Sequence, residues 1–334
     1  MTAARRTTLQ DVADAAGLSK AATSYALRGM RGSRETQERV RAVAAALGYT
    51  VNPVARALAS GRSGTVGIAG SLGDMWQQGL TVMLSSALRD IGQSSSIADI
   101  DASPERESAA LTAFAAQRVD GIITLPAGPS GSYWATVPGD VRVVSIGDSL
   151  AARPRSASVL FENEYGVSTA LGRLADLGHR SIGVLAPALP TTPGRPAALL
   201  AQTVGRALGV RVVVTASPAS VAGAAQTAGG ILRSQPTVTA LFCLSDSIAF
   251  GAYRAAREAG LDVPTDLSIL GYDDSELASL VSPPLTTFAW DEQAIVDTAL
   301  GFLSSDDGEW SPRTTTFRPD FVERDSTAPA PART

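Results

Sequence analysis

Between Thr8 and Leu27 the chain carries two runs of helical apolar spacing separated only by Gly17-Leu18-Ser19. A glycine stop followed at once by a capping serine forces two short helices across a tight turn, the arrangement of a helix-turn-helix. Thr8 caps the first, with Leu9, Val12, Ala13 and Ala16 on one face and Asp11 three residues on, as in a capping box. Ser19 caps the second, Lys20 to Leu27, and Leu18 packs the turn. A third helix is predicted from Ser33, with Val40, Val43, Ala44 and Leu47 on one face and Gly48 as its left-handed stop. Three short helices around so small an apolar stripe make a head, residues 1–50, rather than a large domain.

Charge sets this head apart. Residues 1–62 hold ten Arg and Lys against four acids, whereas the whole chain of 334 residues is −4, so the remainder has 18 basic against 28 acidic groups. A basic head on an acidic body suits a polyanion bound at one end, because phosphate contacts and counterion release need local positive charge. In a helix-turn-helix the second helix enters the major groove with its N-terminal residues toward the base edges, which nominates Lys20, Ala21 and Tyr25 for base contact. Ser24 and Arg28 reach toward phosphates, while Thr23, Ala26 and Leu27 fall nearer the inner face. Thr8 and Ser19, at the two helix starts, complete the set expected at the DNA.

The segment 51–63 follows its own logic. In Asn52-Pro53-Val54-Ala55-Arg56-Ala57-Leu58-Ala59-Ser60-Gly61 the Asn caps, the Pro suits the first helical position and the Gly terminates. A helix of barely two turns is marginal in isolation, where about 12 residues are needed, so this hinge orders only when something packs against it. Leu58 then lacks an evident core and suits a wedge between minor-groove base steps; an ordinary interdomain linker is the alternative.

From Thr65 onward strands and helices alternate: strand Val66–Ala69, a helix near Gln77–Ile91, strand Ser96–Ile100, helix Pro104–Arg118, and strands Gly121–Leu125 and Val141–Ile146. The pattern restarts after Asn163 with a helix, strand Ile182–Leu185, a helix from Gly194 and strand Val210–Val214, continuing to Ile269–Gly271. The fold class is therefore α/β: two lobes of doubly wound parallel sheet, with a ligand expected at the carboxyl ends of strands where the lobes face each other. Cys243 is the only cysteine, in an apolar run that reads as a buried strand, and with one histidine no zinc site of the usual ligands can be assembled. No cofactor is expected. No stretch approaches the ~18 apolar residues of a membrane span and the N-terminus lacks a signal-peptide core, so a soluble, cytoplasmic protein is expected. There is no phosphate-binding loop and no nucleophile elbow, and Gly64, Gly67 and Gly70 are spaced wrongly for a dinucleotide fingerprint, which disfavours an enzyme. His179, in the turn before a strand, reads as a structural hydrogen-bonder.

Thr8-Leu9-Gln10-Asp11-Val12-Ala13, Ala16-Gly17-Leu18-Ser19, Leu47-Gly48-Tyr49 and Asn52-Pro53-Val54-Ala55-Arg56-Ala57-Leu58 closely resemble the lactose/galactose repressor (LacI-type) family of bacterial transcription regulators. Leu177-Gly178-His179-Arg180, Leu244-Ser245-Asp246, Gly260-Leu261-Asp262-Val263-Pro264, Leu270-Gly271-Tyr272-Asp273-Asp274 and Pro283-Pro284-Leu285-Thr286-Thr287 resemble its later motifs in the expected order. The resemblance implies a core like that of periplasmic sugar-binding proteins over 64–327, with lobe 1 about 64–161 and 291–313 and lobe 2 about 162–290 and 314–327. Crossovers fall near 161–163 and 288–291, the last strand, about Thr315–Glu323, returns to the second lobe, and 328–334 is a disordered tail. It further implies a homodimer on a pseudo-palindromic double-stranded operator, with paired hinge helices at its centre, Leu58 as lever and Ala55 the small residue beside it. The lobe surfaces, with helix Met83–Leu88 as candidate, would form the dimer. One departure concerns the recognition helix, where the family commonly has Thr-Val-Ser-Arg and this chain has Ala22-Thr23-Ser24-Tyr25. The half-site should differ accordingly, and the Thr23 hydroxyl costs stability unless it bonds back to the helix.

Carried over by motif, the effector-facing candidates are Asp74, Glu162, Asn163, Arg195, Asp246 and Asp273. Trp76, Phe161 and Trp290 can stack on a ligand or serve as core aromatics, and Asp246 can equally cap the helix Ser247–Ala259. A sugar is the effector class the resemblance implies. The expected function is a sequence-specific DNA-binding regulator, by family default a repressor, whose operator affinity a sugar-like effector controls. A sugar sensor without DNA function is the alternative, and it leaves the basic head and hinge unexplained.

Overall fold

The computed structural model describes residues 7–27, 29–49, 62–153, 155–187, 194–304 and 312–332, with side chains in the fifth segment from Ala197. Arg28, Asn52, Ala55, Leu58 and the side chain of Arg195 lie outside the described residues. The chain divides into two units, Met1–Ser63 and Gly64–Thr334.

In the first unit, α1 (Leu9–Ala16), α2 (Lys20–Leu27) and α3 (Arg34–Ala46) form where the caps dictate. Thr8 Oγ1 accepts from the Asp11 amide while the Asp11 carboxylate accepts from the Thr8 amide at 2.7 Å, a closed capping box, and Gly17 ends the helix at φ 67°. Ser19 Oγ accepts from the Ala22 amide at 3.2 Å, and Ser33 Oγ from the Thr36 amide at the same distance. Val12, Ala16, Ala26, Val40 and Ala44 make the small core, with Leu18, Leu27, Val43 and Tyr49 against it. Thr23 is fully buried in this unit and its hydroxyl has no hydrogen-bond partner. An unsatisfied buried hydroxyl costs about 1–3 kcal/mol. Thr23→Val, nearly isosteric, should therefore stabilise the head by about 1 kcal/mol; slower hydrogen exchange of α1–α3 amides in the full-length protein is the readout.

The second unit begins with β1 (Thr65–Gly70), α4 (Met75–Asp90), β2 (Ser94–Asp99), α5 (Pro104–Gln117), β3 (Gly121–Thr124), β4 (Arg142–Gly147) and β5 (Ala157–Phe161). It continues through α6 (Asn163–Asp176), β6 (Ser181–Pro187), α7 (Gly194–Ala207), β7 (Arg211–Ser217), α8 (Val221–Ser234), β8 (Ala240–Cys243), α9 (Asp246–Glu258) and β9 (Ser268–Leu270). The last elements are β10 (Thr287–Ala289), α10 (Glu292–Ser304), β11 (Thr314–Phe317) and β12 (Asp320–Val322). Six parallel strands in the order β11-β5-β4-β3-β1-β2 form the first lobe's sheet, and four in the order β7-β6-β8-β9 the second's. Central strands are apolar on both faces because helices cover both. In the first lobe α4 and α10 bury Leu80, Leu84, Leu88, Ile295 and Val296 on one face, and α5 buries Leu111 and Phe114 on the other. A Cβ at Gly67 would overlap the Phe114 ring, so this strand position admits only glycine. In the second lobe α6 and α7 pack one face, while α8 and α9 pack the other around Leu241, Ile248 and Ile269.

Three features differ from the sequence reading. Strand β5, unread in the sequence, lies between β4 and β11. Strand β11 pairs in parallel with β5, Thr314 opposite Ser158 and Phe317 opposite Phe161, so residues 314–317 belong to the first lobe and not to the second. The chain crosses a third time at Arg318-Pro319, and β12 then pairs antiparallel with β10, Phe288 opposite Phe321, between the lobes.

The third difference is the C-terminal segment, which is tied down rather than disordered as far as it is described. The Ala330 amide donates to Leu177 O at 2.7 Å and the Ala328 amide to Ser268 Oγ at 3.1 Å. His179, fully buried, has Nδ1 2.8 Å from Thr239 Oγ1 and Nε2 3.1 Å from Ala328 O. A carbonyl only accepts, so the proton sits on Nε2 and the Thr239 hydroxyl donates to Nδ1. Burial holds the His179 pKa below its ordinary value, and protonation would leave Nδ1–H facing a hydroxyl already used as donor. With the folded pKa depressed, the unfolded chain takes up protons first. The contribution to stability is thus full above about pH 6.5 and lost as pH falls below it. From pH 7 to pH 5 the protection factors of the Ala328 and Ala330 amides, taken against the intrinsic exchange rate at each pH, should fall, and His179→Gln should remove most of that pH dependence.

Candidate functional site

The carboxyl ends of strands from both lobes converge. Asp74 follows β1 and caps α4, its Oδ1 accepting from the Gln77 amide at 3.0 Å. One turn inward, Trp76 packs edge-on against Phe161 at the end of β5, centroids 5.6 Å apart, and Phe161 against Trp290 at 4.6 Å. Trp290 meets Tyr272 at 5.9 Å and donates its indole N–H to Tyr272 O at 3.3 Å. Tyr272 donates through its hydroxyl to Asn163 Oδ1 at 3.2 Å, joining the loop after β9 to the start of α6. The three predicted rings are thus links in an aromatic chain that carries the apolar core from one lobe to the other, and all three are buried. The buried Trp76 indole N–H borders the Glu292 carboxyl at the start of α10.

Asp246 has a role that neither sequence alternative describes. Ser245 is the cap of α9, accepting from the Ile248 amide, which frees the Asp246 carboxylate for the loop after β9. Its Oδ1 accepts from the Thr287 hydroxyl at 2.7 Å and the amides of Tyr272 and Asp273 at 3.1 and 3.4 Å. Its Oδ2 accepts from the amide and hydroxyl of Ser275 at 2.8 and 3.1 Å. A side chain at Gly271 would run into Asp246 Oδ1, so the loop can approach only through a glycine. In return, Asp273 Oδ2 accepts from the Asp246 amide at 3.1 Å.

Burial raises the pKa of Asp74, Asp246 and Glu292 above the ordinary carboxylate range. Asp273 is raised furthest, by burial first and then by the carboxyls of Asp246 and Asp74. Acids from both lobes therefore face one another at the strand ends. Such a concentration of acceptors beside flat rings is chemically suited to a ligand rich in hydroxyl or amine donors.

Asp74, Trp76, Phe161, Asn163, Asp246, Asp273 and Trp290 lie together at these strand ends. Glu162 does not: it is exposed and makes no cap bond, and its charge acts instead on Arg318, whose guanidinium lies 3.4 Å over the Tyr165 ring. Tyr272 and Glu292 were missed. In the head, Lys20, Ala21 and Tyr25 are exposed on α2 with Ser24 half-buried, whereas the Thr8 and Ser19 side chains are engaged as caps.

Residues 8–52 match the family described as bacterial regulatory proteins, lacI family, and residues 171–327 match a periplasmic binding protein-like domain. The chain is 31% identical to an uncharacterized HTH-type transcriptional regulator of Streptomyces limosus over 96% of its own length and 94% of that protein's. It belongs to the LacI family. Like other members of that family it is a DNA-binding transcriptional regulator with an effector-binding core, not an enzyme. This LacI-family chain is also 30% identical to the lactose operon repressor of Escherichia coli (strain K12), covering 89% of the chain and 83% of that repressor. It superposes on the lac repressor dimer bound to operator and the anti-inducer ONPF with a TM-score of 0.83 at 27% identity, covering 97% of the chain and 100% of that structure's chain. Among the described residues no helix is long and apolar enough to cross a membrane.

Because the Asp246 carboxylate faces only donors, Asp246→Asn would turn an amide NH2 toward the Ser275 or Thr287 side. The expected loss is about 3 kcal/mol of core stability, as for charge-assisted bonds broken in a buried site. Urea unfolding with an unchanged m-value would register it.

Proposed function

We propose that the chain is a cytoplasmic, homodimeric repressor that releases or grips its operator according to a sugar-like effector held between the lobes. The observation that carries this reading is the meeting of Asp74, Asn163, Asp246, Asp273 and the Trp76–Phe161–Trp290 rings at the carboxyl ends of strands from both lobes. Asp273 and Asp74 accept from ligand hydroxyls, Arg195 supplies a donor fork, and the rings bound the apolar face of the ligand. The lac repressor structure it superposes on holds operator DNA and a small molecule together, which supports coupling of the two in this relative.

In this reading Lys20, Ala21 and Tyr25 face base edges, with Ser24 and Arg28 on the backbone. Asn52, Ala55 and Leu58 form the hinge, and Leu58 is the minor-groove lever. Effector binding changes the closure of the lobes and thereby the order of the paired hinge segments, a bistable element biased from a distant site. Selection from a random DNA pool, repeated with a panel of sugars and nucleosides, should give one pseudo-palindromic operator and one ligand that shifts its affinity at least ten-fold. Asp273→Asn should abolish that shift while operator affinity without ligand is kept, and Leu58→Ala should weaken operator binding with effector affinity intact. Unchanged operator affinity in Leu58→Ala would remove the lever assignment.

A further inference from the structure

Helix α2 turns only Thr23 and Ala26 fully into the core, which leaves Tyr25 on its outer face, 36% exposed. The ring has a partner from beyond the helix. The Arg31 guanidinium lies over it, 5.3 Å from the ring centroid, within the range in which a cation is held by the ring quadrupole. The turn that carries Arg31 is itself fixed. The Met30 amide donates to Tyr25 O at 3.0 Å and the Gly29 amide to Ala26 O at 3.1 Å, closing α2 with Gly29 at φ 69°. Gly32, at φ 97°, redirects the chain into α3, and Gln37 of α3 donates through Nε2 to Gly32 O at 3.3 Å. Arg31 is therefore exposed on a turn braced at both ends, with its side chain folded back along the outer face of α2. The nearby acid Glu38 is engaged by Arg34 at 2.9 Å.

We propose that Tyr25 and Arg31 form one base-reading unit, in which the tyrosine ring positions the Arg31 guanidinium to read a guanine of the operator half-site. This rests on α2 being the helix that enters the major groove. Stacking occupies a face of the guanidinium and leaves its N–H donors free in the plane, where their fork matches guanine O6 and N7. Lysine offers neither the flat face nor the fork. A guanidinium stacked on a ring also surrenders less rotamer freedom on binding than a free arginine, so part of the ordering cost is met before DNA arrives. Tyr25 is thus a positioning residue for Arg31 as well as an apolar surface in the groove.

The test is selection of bound sequences from a random double-stranded pool by the full-length protein, followed by affinities on the selected operator and its single-base variants. Wild type should select a half-site with one guanine whose replacement costs on the order of ten- to a hundred-fold. Arg31→Ala and Arg31→Lys should both lose that discrimination at that one base pair and keep it elsewhere. Tyr25→Phe, which keeps the ring, should retain it; Tyr25→Leu should lose it at the same base pair, and the double variant Arg31→Ala/Tyr25→Leu should lose no more than either alone. Both side chains are exposed, so unchanged thermal melting of each variant serves as the folding control. A uniform loss across all sequences with a shallower salt dependence would make Arg31 a phosphate contact and overturn the proposal, as would an unchanged preference. If wild type enriched no sequence, the assignment of α2 to the groove would fall first, and the two failures are distinguishable.

Discussion

A single buried carboxylate organises the place where the lobes meet. Asp246 sits at the first position of α9, yet its oxygens serve the loop after β9 and Thr287 at the start of β10 rather than its own helix. Two segments apart in sequence from α9 share that one acceptor, and each needs it because their amides and hydroxyls are removed from water. The position of Asp273 follows from this loop, as does that of Tyr272, whose ring then contacts Phe242, Phe288 and Trp290. Gly166 is part of the same arrangement, since any side chain there would collide with the Tyr272 hydroxyl. The loop at the strand ends is thus positioned by groups that already bond to one another.

The electrostatics of the cleft work against the fold. Asp74 and Glu292 come from the first lobe, Asp246 and Asp273 from the second, and burial already disfavours each as an anion. Bringing such groups together is unfavourable unless donors neutralise them. Asp246 receives its donors from the protein, while the Asp273 carboxylate has the Asp246 amide on one oxygen. The difference separates a carboxylate that holds the architecture from one that is suited to a ligand.

Much of this was legible in the sequence, and the rest was hidden for specific reasons. Caps are local, so Thr8, Gly17, Ser19 and Ser33 announced the head correctly. Alternation of apolar strands with helices announced two parallel sheets, because a strand covered on both faces must be apolar throughout. What alternation does not encode is which sheet a strand joins: Thr314–Phe317 could serve either lobe, and only its pairing with β5 decides. Asp246 looked like a cap because sequence shows the helix that follows and not the loop 27 residues later that bonds to it. The Ala328–Ala330 stretch looked disordered because its composition is poor in anchoring side chains, whereas it is held chiefly through its own backbone.

The three crossings between lobes bear on how the protein is made. The first lobe lacks an edge strand until Thr314–Phe317 arrives, and the second lacks the partners of His179 and Leu177 until Ala328–Ala330 arrives. A chain emerging from the ribosome at about 5–20 residues per second therefore cannot finish either lobe early. Both lobes close within the same last moments of synthesis, and a polypeptide halted before residue 314 would leave the first lobe's sheet without its edge strand and the second lobe without its C-terminal ties.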